Sequence, residues 1–275
     1  MSDKGDPLAR MAAALERLAP ASAAPVDLSA RPAFVFGPAG LRLVSRLDAP
    51  RLELLRGIDE QKQRVVTNVL RLAQGHAAHD MLLWGSRGMG KSALLRSAVA
   101  AAQAEHPGAL ALVQVTQDAL SGLTDLFAML AGRKRRFLVF IDDLGFEDDD
   151  GSGPRQLRSW LEGGVEARPD NVRLAVTSNR RAIVSRHQSE QDDPVNRRDA
   201  VDDRLALADR FGMSIGFHNC SQDDYLEIIG AYAEAHGLSW DRGDALEWSR
   251  RRGGRSGRVA WQYAVELAGR AGRAL

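Results

Sequence analysis

The order of apolar runs predicts an α/β protein: a three-layer αβα core around a five-stranded, largely parallel sheet, followed by a C-terminal helical lid. Three observations carry that expectation. Five short runs rich in aliphatic residues, 81–84, 110–115, 137–141, 172–177 and 213–217, recur with helical patterns between most of them. Such alternation folds as parallel strands covered by helices on both faces. A glycine-rich turn, G-S-R-G-M-G-K-S over 85–92, separates the first run from a helical pattern and matches G-x-x-x-x-G-K-[ST] at every fixed position. After the fifth run the apolar period becomes that of helices and remains so to the end.

Composition sets outer limits. A chain of 275 residues with 44% apolar residues has room for one large or two modest domains and enough apolar surface for a core. Lys+Arg of 37 against Asp+Glu of 36 leaves a formal charge of +1, so the overall charge does not argue for nucleic acid or an anionic membrane. The single cysteine, Cys220, excludes an internal disulfide and a cysteine metal cluster, and reads as a small buried apolar residue. No apolar run approaches the ~18 residues of a membrane span, and the start MSDKGDPLAR lacks the basic-then-apolar order of a secretory signal. A cytoplasmic protein without membrane contact is therefore expected.

Along the chain, Leu8, Met11, Leu15 and Leu18 stand at helical spacing, and an Ala/Pro/Ser stretch continues to Pro32. This segment reads equally as a partner-binding arm and as an arm packed on its own domain. Phe34, Val35 and Phe36 suit a short strand before the turn at Gly37 and Pro38. A helix is expected to start after Gly57 and run through Val65, Val69 and Leu72, delivering the chain to the first apolar run. The expected organisation is an N-terminal helix and linker over 1–50, a core over 51–219 and a lid over 220–275.

The glycine-rich turn has a chemical reason for its spacing. Small residues let the loop curl so that successive N–H groups point inward, and with the N-terminus of the next helix they hold phosphate oxygens. On this reading Gly85, Ser86, Arg87, Gly88, Met89 and Gly90 form a cradle that Lys91, Ser92 and Ala93 close. Lys91 would reach the β and γ phosphates and Ser92 would ligate Mg²⁺. The chain has 33 Arg and only 4 Lys, so a lysine in the one slot that wants a compact, flexible ammonium is informative. ATP and Mg²⁺ are the expected ligand and metal.

Two further strand tips carry polar groups. The third run ends in Asp142 and Asp143. Taken alone that is a strand and a turn, but following a complete glycine-rich loop Asp142 becomes the candidate second handle on Mg²⁺ and Asp143 the candidate for holding or deprotonating an attacking water. The fourth run ends in Thr177, Ser178 and Asn179. Asn179 suits either a hydrogen bond to that water or to the γ phosphate, or a turn or helix cap. Residues 180–204 are polar and charged and read as a surface insertion; His187 with Asp192 or Asp193 lacks the spaced ligand set of a metal site. Ser221 to Asp224 reads as an N-cap with an acidic first turn, opening a helix to Gly237, and two more helices are expected around 242–251 and 258–270. Residues 241–275 hold 8 Arg against 2 Asp and 2 Glu, which suits a solvated basic face or contact with phosphate.

A glycine-rich phosphate loop, a strand ending Asp142-Asp143, a strand ending Asn179, an Asp-Arg-Phe segment at 209–211 and an arginine-bearing helical lid, in that order, resemble the AAA+ ATPases of the P-loop NTPase class. Closer still, G-I-D-E-Q-K, L-L-W-G-S-R-G-M-G-K-S, F-I-D-D-L-G-F-E, L-E-G-G-V-E-A-R-P-D-N-V and T-S-N-R-R are similar to a bacterial AAA+ family known only as a domain of unknown function, over about residues 52–275. The resemblance implies that Gly57 and Ile58 pack the adenine, Asn179 is the sensor 1 residue, and Arg210 is an arginine finger completing a neighbour's site in a homo-oligomer. It also implies that Arg258, or else Arg255, is the sensor 2 arginine of the lid. One departure stands out: most members have Glu where this chain has Asp143, one methylene shorter. Either the water is held from a different backbone position, or Glu147 assists, or hydrolysis is slow.

The leading expectation is an Mg²⁺-dependent ATPase whose turnover moves lid against core on an unidentified protein client. A DNA-associated loader or helper, using the basic lid and the run Arg133-Lys134-Arg135-Arg136, is the second. That run also reads as a solvated surface. A nucleotide-gated scaffold that binds ATP and scarcely hydrolyses it is the third.

Overall fold

The computed structural model describes residues 27–29, 31–144, 161, 168–179 and 210–275. The helix expected within 7–18, Glu147, residues 162–167 of the 161–172 segment, Asp209 and the stretch with His187, Asp192 and Asp193 lie outside the described residues.

One sheet organises the core. Its strands are β1 (Ala33–Gly37), β2 (Gly40–Val44), β3 (Met81–Gly85), β4 (Leu110–Val115), β5 (Arg136–Ile141), β6 (Val172–Ser178) and β7 (Met213–Phe217). They lie in the order β2-β1-β4-β5-β6-β3-β7. The five expected strands form the contiguous parallel part, β4-β5-β6-β3-β7. The expectation of five strands is nevertheless corrected to seven: β1 pairs parallel with β4, and β2 folds back antiparallel on β1. Both fall in the 1–50 segment expected as an extension, and they widen the core sheet instead. β2 lacked a strand signature because it is an edge, with Leu43 at 43% exposure and Arg42 in its centre.

The inner strands are buried on both faces, which is why they read as continuous apolar runs. Leu83, Leu112, Leu138 and Ala175 face one side, and Leu82, Val113, Val139 and Leu174 face the other. Helices α1 (Asp59–Ala73) and α2 (Lys91–Glu105) cover the first face with Val65, Val69, Leu94 and Val99. Helix α3 (Leu123–Leu130) covers the second with Leu123, Leu126 and Phe127. Fully buried residues such as Leu94 and Leu126 each contribute about 1.5–3 kcal/mol through removal from water.

Three helices follow the sheet: α4 (Gln222–His236), α5 (Arg242–Arg251) and α6 (Gly257–Arg270). The expected cap at Ser221 is a complete capping box, in which Ser221 Oγ accepts from the Asp224 amide at 3.0 Å and Asp224 Oδ2 accepts from the Ser221 amide at 3.1 Å. Gly237 ends the helix with a φ of 60°. Tyr225 and Tyr263 are fully buried between the helices, their hydroxyls donating to Ala245 O at 3.2 Å and to Asp244 Oδ2 at 2.9 Å. Tyr225, Ile229, Ala260 and Tyr263 join the same apolar cluster as Leu55, Ile58 and Leu83, so the three helices and the first face of the sheet share one core.

Candidate functional site

The glycine-rich turn lies where the sequence put it, between the end of β3 and the start of α2. Gly85 is required by space as well as by its φ of 125°: a Cβ there would stand 2.0 Å from Phe217 O, because β7 runs alongside and Ser86 N donates to that oxygen at 3.0 Å. Gly90 caps α2 in the left-handed conformation, φ 87°, which turns the chain into the helix. Beneath the loop Met89 is buried as an apolar anchor, while Arg87 is exposed above it.

Lys91 is the most constrained cation of the site. Its side chain is 5% exposed, and its ammonium donates to Gly85 O at 2.8 Å, Ser86 O at 2.9 Å and Asn179 Oδ1 at 3.1 Å. Three N–H groups thus have three acceptors. Burial lowers its pKa from the ordinary lysine value, while the Asp143 and Asp142 carboxylates act to raise it and Arg258 and Arg87 to lower it. A phosphate oxygen brought to this ammonium would meet a partly desolvated cation already aimed along the loop.

The carboxylates converge on the same place from β5. Asp142 Oδ1 accepts from Ser92 Oγ at 2.6 Å and from Thr177 Oγ1 at 2.6 Å. A hydroxyl and a carboxylate oxygen meeting at one point fit the hard oxygen set that Mg²⁺ takes. Asp143 has a φ of 51°, the one positive value for a residue other than glycine among the described residues. Backbone strain of this kind costs about 1–3 kcal/mol and needs surrounding contacts to persist. Asp143 N donates to Thr177 Oγ1 at 2.8 Å, Asp143 O accepts from Gln117 Nε2 at 3.0 Å, and its carboxylate accepts from Asn179 Nδ2. Asn179 therefore links Lys91 to Asp143 through the two ends of one amide.

These groups line one end of a cavity of about 550 Å³, within the range that small-molecule sites occupy. Gly88, Met89, Gly90, Lys91, Ser92, Ala93, Asp142, Asp143, Asn179 and Arg258 are on its walls, and Pro50, Leu54, Ile58, Ile228, Tyr232 and Trp261 add apolar surface alongside the polar groups of Asp48, Arg56, Arg96 and His236. Tyr232 and Trp261 lie 5.0 Å apart between ring centroids. Sequence reasoning assigned no role to Pro50, Tyr232 or Trp261. Tyr232 stood out only as one more apolar position of α4, and nothing in its spacing marks a cavity.

The remaining expected residues divide. Ile58 is buried on the cavity wall, whereas Gly57 is exposed beside it and makes the turn with a φ of 72°. Of the two lid arginines, Arg258 lines the cavity and its amide donates to Gly88 O at 3.1 Å, clasping α6 to the phosphate loop. Arg255 stands apart from the cavity walls, and its charge acts on the Cys220 thiol instead. Arg210 is half-buried just before β7, whose first residue pairs with the first residue of β3. It therefore sits at the sheet edge opposite the loop and does not reach its own chain's cavity. In the run 133–136, Arg133 and Lys134 are exposed, but Arg135 is structural, donating to Leu28 O at 2.8 Å and Leu110 O at 2.8 Å.

Comparison with known proteins bears on the family and the fold. A family model described as "Protein of unknown function (DUF815)" matches residues 30–271. Among solved structures, the RuvB Holliday junction branch migration motor of Thermotoga maritima superposes with a TM-score of 0.51 at 16% identity, over 82% of this chain and 68% of that one. The Aeropyrum pernix ORC1 protein, solved in complex with DNA, gives a TM-score of 0.55 at 14% identity, over 80% of this chain and 65% of that one. Likeness at such identities is likeness of fold. No curated protein matches the chain. Among the described residues, no helix is long and apolar enough to cross a membrane.

Proposed function

Because the chain belongs to the DUF815 family and has the AAA+ P-loop fold, we propose that it binds ATP and hydrolyses it to ADP and phosphate, using turnover to move the lid against the core. The observation that carries this reading is the convergence on one cavity wall of the Lys91 ammonium, the Ser92 hydroxyl and the Asp142 carboxylate, with Ser92 and Asp142 2.6 Å apart. The loop amides and Lys91 take the triphosphate. The apolar side chains of the lining, Pro50, Leu54, Ile58 and Tyr232, take the base. Ser92 and Asp142 would hold Mg²⁺, which when bound neutralises charge on the phosphate oxygens. Asp143 and Asn179 orient the attacking water: its oxygen bonds to the γ phosphorus, the bridging oxygen leaves with ADP, and Asp143 accepts the proton.

Arg258 approaches the phosphates from the lid, and its amide's bond to Gly88 O ties that approach to the loop. Arg210 acts on a neighbouring copy, so hydrolysis requires a homo-oligomer; its place at the opposite sheet edge supports a role in trans. Phosphate release tests the reading: the wild-type chain should turn over ATP with Mg²⁺, and Asp143→Asn should bind ATP but lose about 10²- to 10⁴-fold in rate. Undiminished release by Asp143→Asn would remove Asp143 from the chemistry. A wild type that binds ATP but shows no single-turnover release would instead be a nucleotide-gated scaffold.

The exposed arginines Arg250, Arg251, Arg252 and Arg255, at the end of α5 and just after it, favour a second reading, in which the ATPase works on DNA. DNA affinity that falls steeply between low and moderate salt supports it, and an absence of binding at low salt removes it.

A further inference from the structure

Asp143 is held in a backbone conformation that a short polar residue tolerates and most others avoid. The bonds that hold it come from the tips of two neighbouring strands. Thr177, 1% exposed on β6, takes the Asp143 amide on its hydroxyl at 2.8 Å, while its carbonyl accepts from Leu144 N at 2.9 Å. The same hydroxyl donates to Asp142 at 2.6 Å, so one atom aligns both carboxylate-bearing residues. Gln117, just beyond β4, donates to the Asp143 carbonyl at 3.0 Å. Both peptide groups flanking Asp143 are therefore fixed from outside its own strand.

We propose that Thr177 and Gln117 are positioning residues for hydrolysis. Together they hold the backbone at 142–144 in the left-handed turn that redirects the Asp143 Cβ, so that an aspartate reaches the Asn179 amide and the water beside it without the extra methylene of a glutamate. The inference rests on the reading of Asp143 as the residue that orients the water. It makes two demands on the chemistry. Loss of the bracket lowers the rate of hydrolysis and spares ATP affinity measured without Mg²⁺, because neither residue touches the loop that grips the phosphates, whereas Thr177 also holds the Asp142 carboxylate of the metal site. A longer acid at 143 does not help, because the backbone has already supplied the reach.

Single-turnover hydrolysis and equilibrium ATP binding, measured side by side on the full chain, test it. Thr177→Val should slow hydrolysis roughly 10- to 100-fold, the effect of a misplaced reacting group, with ATP affinity in EDTA within about threefold of wild type. Thr177→Ser, which keeps the hydroxyl, should recover most of the rate. Gln117→Ala should cost about fivefold, the worth of one neutral hydrogen bond. Asp143→Glu should be slower than wild type. If Asp143→Asn is inactive while Thr177→Val and Gln117→Ala turn over at the wild-type rate, or if Asp143→Glu is faster, the positioning role is wrong and the role of Asp143 stands. If Asp143→Asn itself turns over at the wild-type rate, Asp143 does not orient the water, and this inference fails with that role. If Thr177→Val loses rate, ATP binding and thermal stability in the same proportion, Thr177 is merely structural and the inference is overturned.

Discussion

At the scale of residues, the site rests on a few polar atoms whose partners come from far along the chain. Lys91 and Asn179 are 88 positions apart and Ser92 and Asp142 are 50 apart, yet each was singled out in the sequence as a candidate, because its residue type stands at the tip of a strand or loop where phosphate or metal contact would restrict the choice. Gln117 and Tyr232 were not, since a glutamine after a strand and a tyrosine on a helix face have many uses. Ser92 offers a test confined to the metal. Ser92→Ala should weaken ATP binding by roughly tenfold or more when Mg²⁺ is present and leave binding in EDTA nearly unchanged; equal losses in both buffers would mean that Ser92 contacts phosphate instead. Cys220 offers a test of burial. Desolvation and Asp224 push its thiol up to about 11, so at about pH 8 only about one thiol in a thousand is ionised. A thiol reagent should therefore label the native chain slowly and the unfolded chain at once, and fast native labelling would contradict the placement of Cys220 in the core.

At the scale of elements, the strands that were legible are the ones buried on both faces, since only they keep an uninterrupted apolar run. The short strand expected over 34–36 is β1, but β2 is a half-exposed edge with a charged centre, so the place of their hairpin in the core sheet was missed and the segment was assigned to an N-terminal extension. Helix ends were legible where side-chain chemistry sets them. Ser221, with Asp224 three positions later, marked the start of α4, and Gly237, with its positive φ, marked the end. The capping box can be weighed directly: Ser221→Ala should cost about 1 kcal/mol, lowering the melting temperature by roughly 2–4 °C for a chain of this size. A melt unchanged within error would mean that the α4 start is held by packing alone.

At the scale of the whole molecule, the cavity lies between the sheet and the three C-terminal helices, and the contact between Arg258 N and Gly88 O joins α6 to the glycine-rich loop. The order of motifs along the chain was enough to anticipate this arrangement, but not the clasp, which depends on how α6 meets the loop in space. The opposite position of Arg210 gives the assembly its own test. Arg210→Ala should keep ATP binding and lose about 10³-fold in hydrolysis, and mixing it with Lys91→Ala protein should restore part of the activity, because intact loops then meet intact arginines; no recovery on mixing would argue for a site that works within one chain. The account as a whole depends on Lys91 and the loop amides gripping a triphosphate. Calorimetric titration of the wild type and of Lys91→Ala with ATP and Mg²⁺ tests that most directly. One ATP per wild-type chain and none on the folded variant is the predicted result, and equal affinity for both proteins would contradict it.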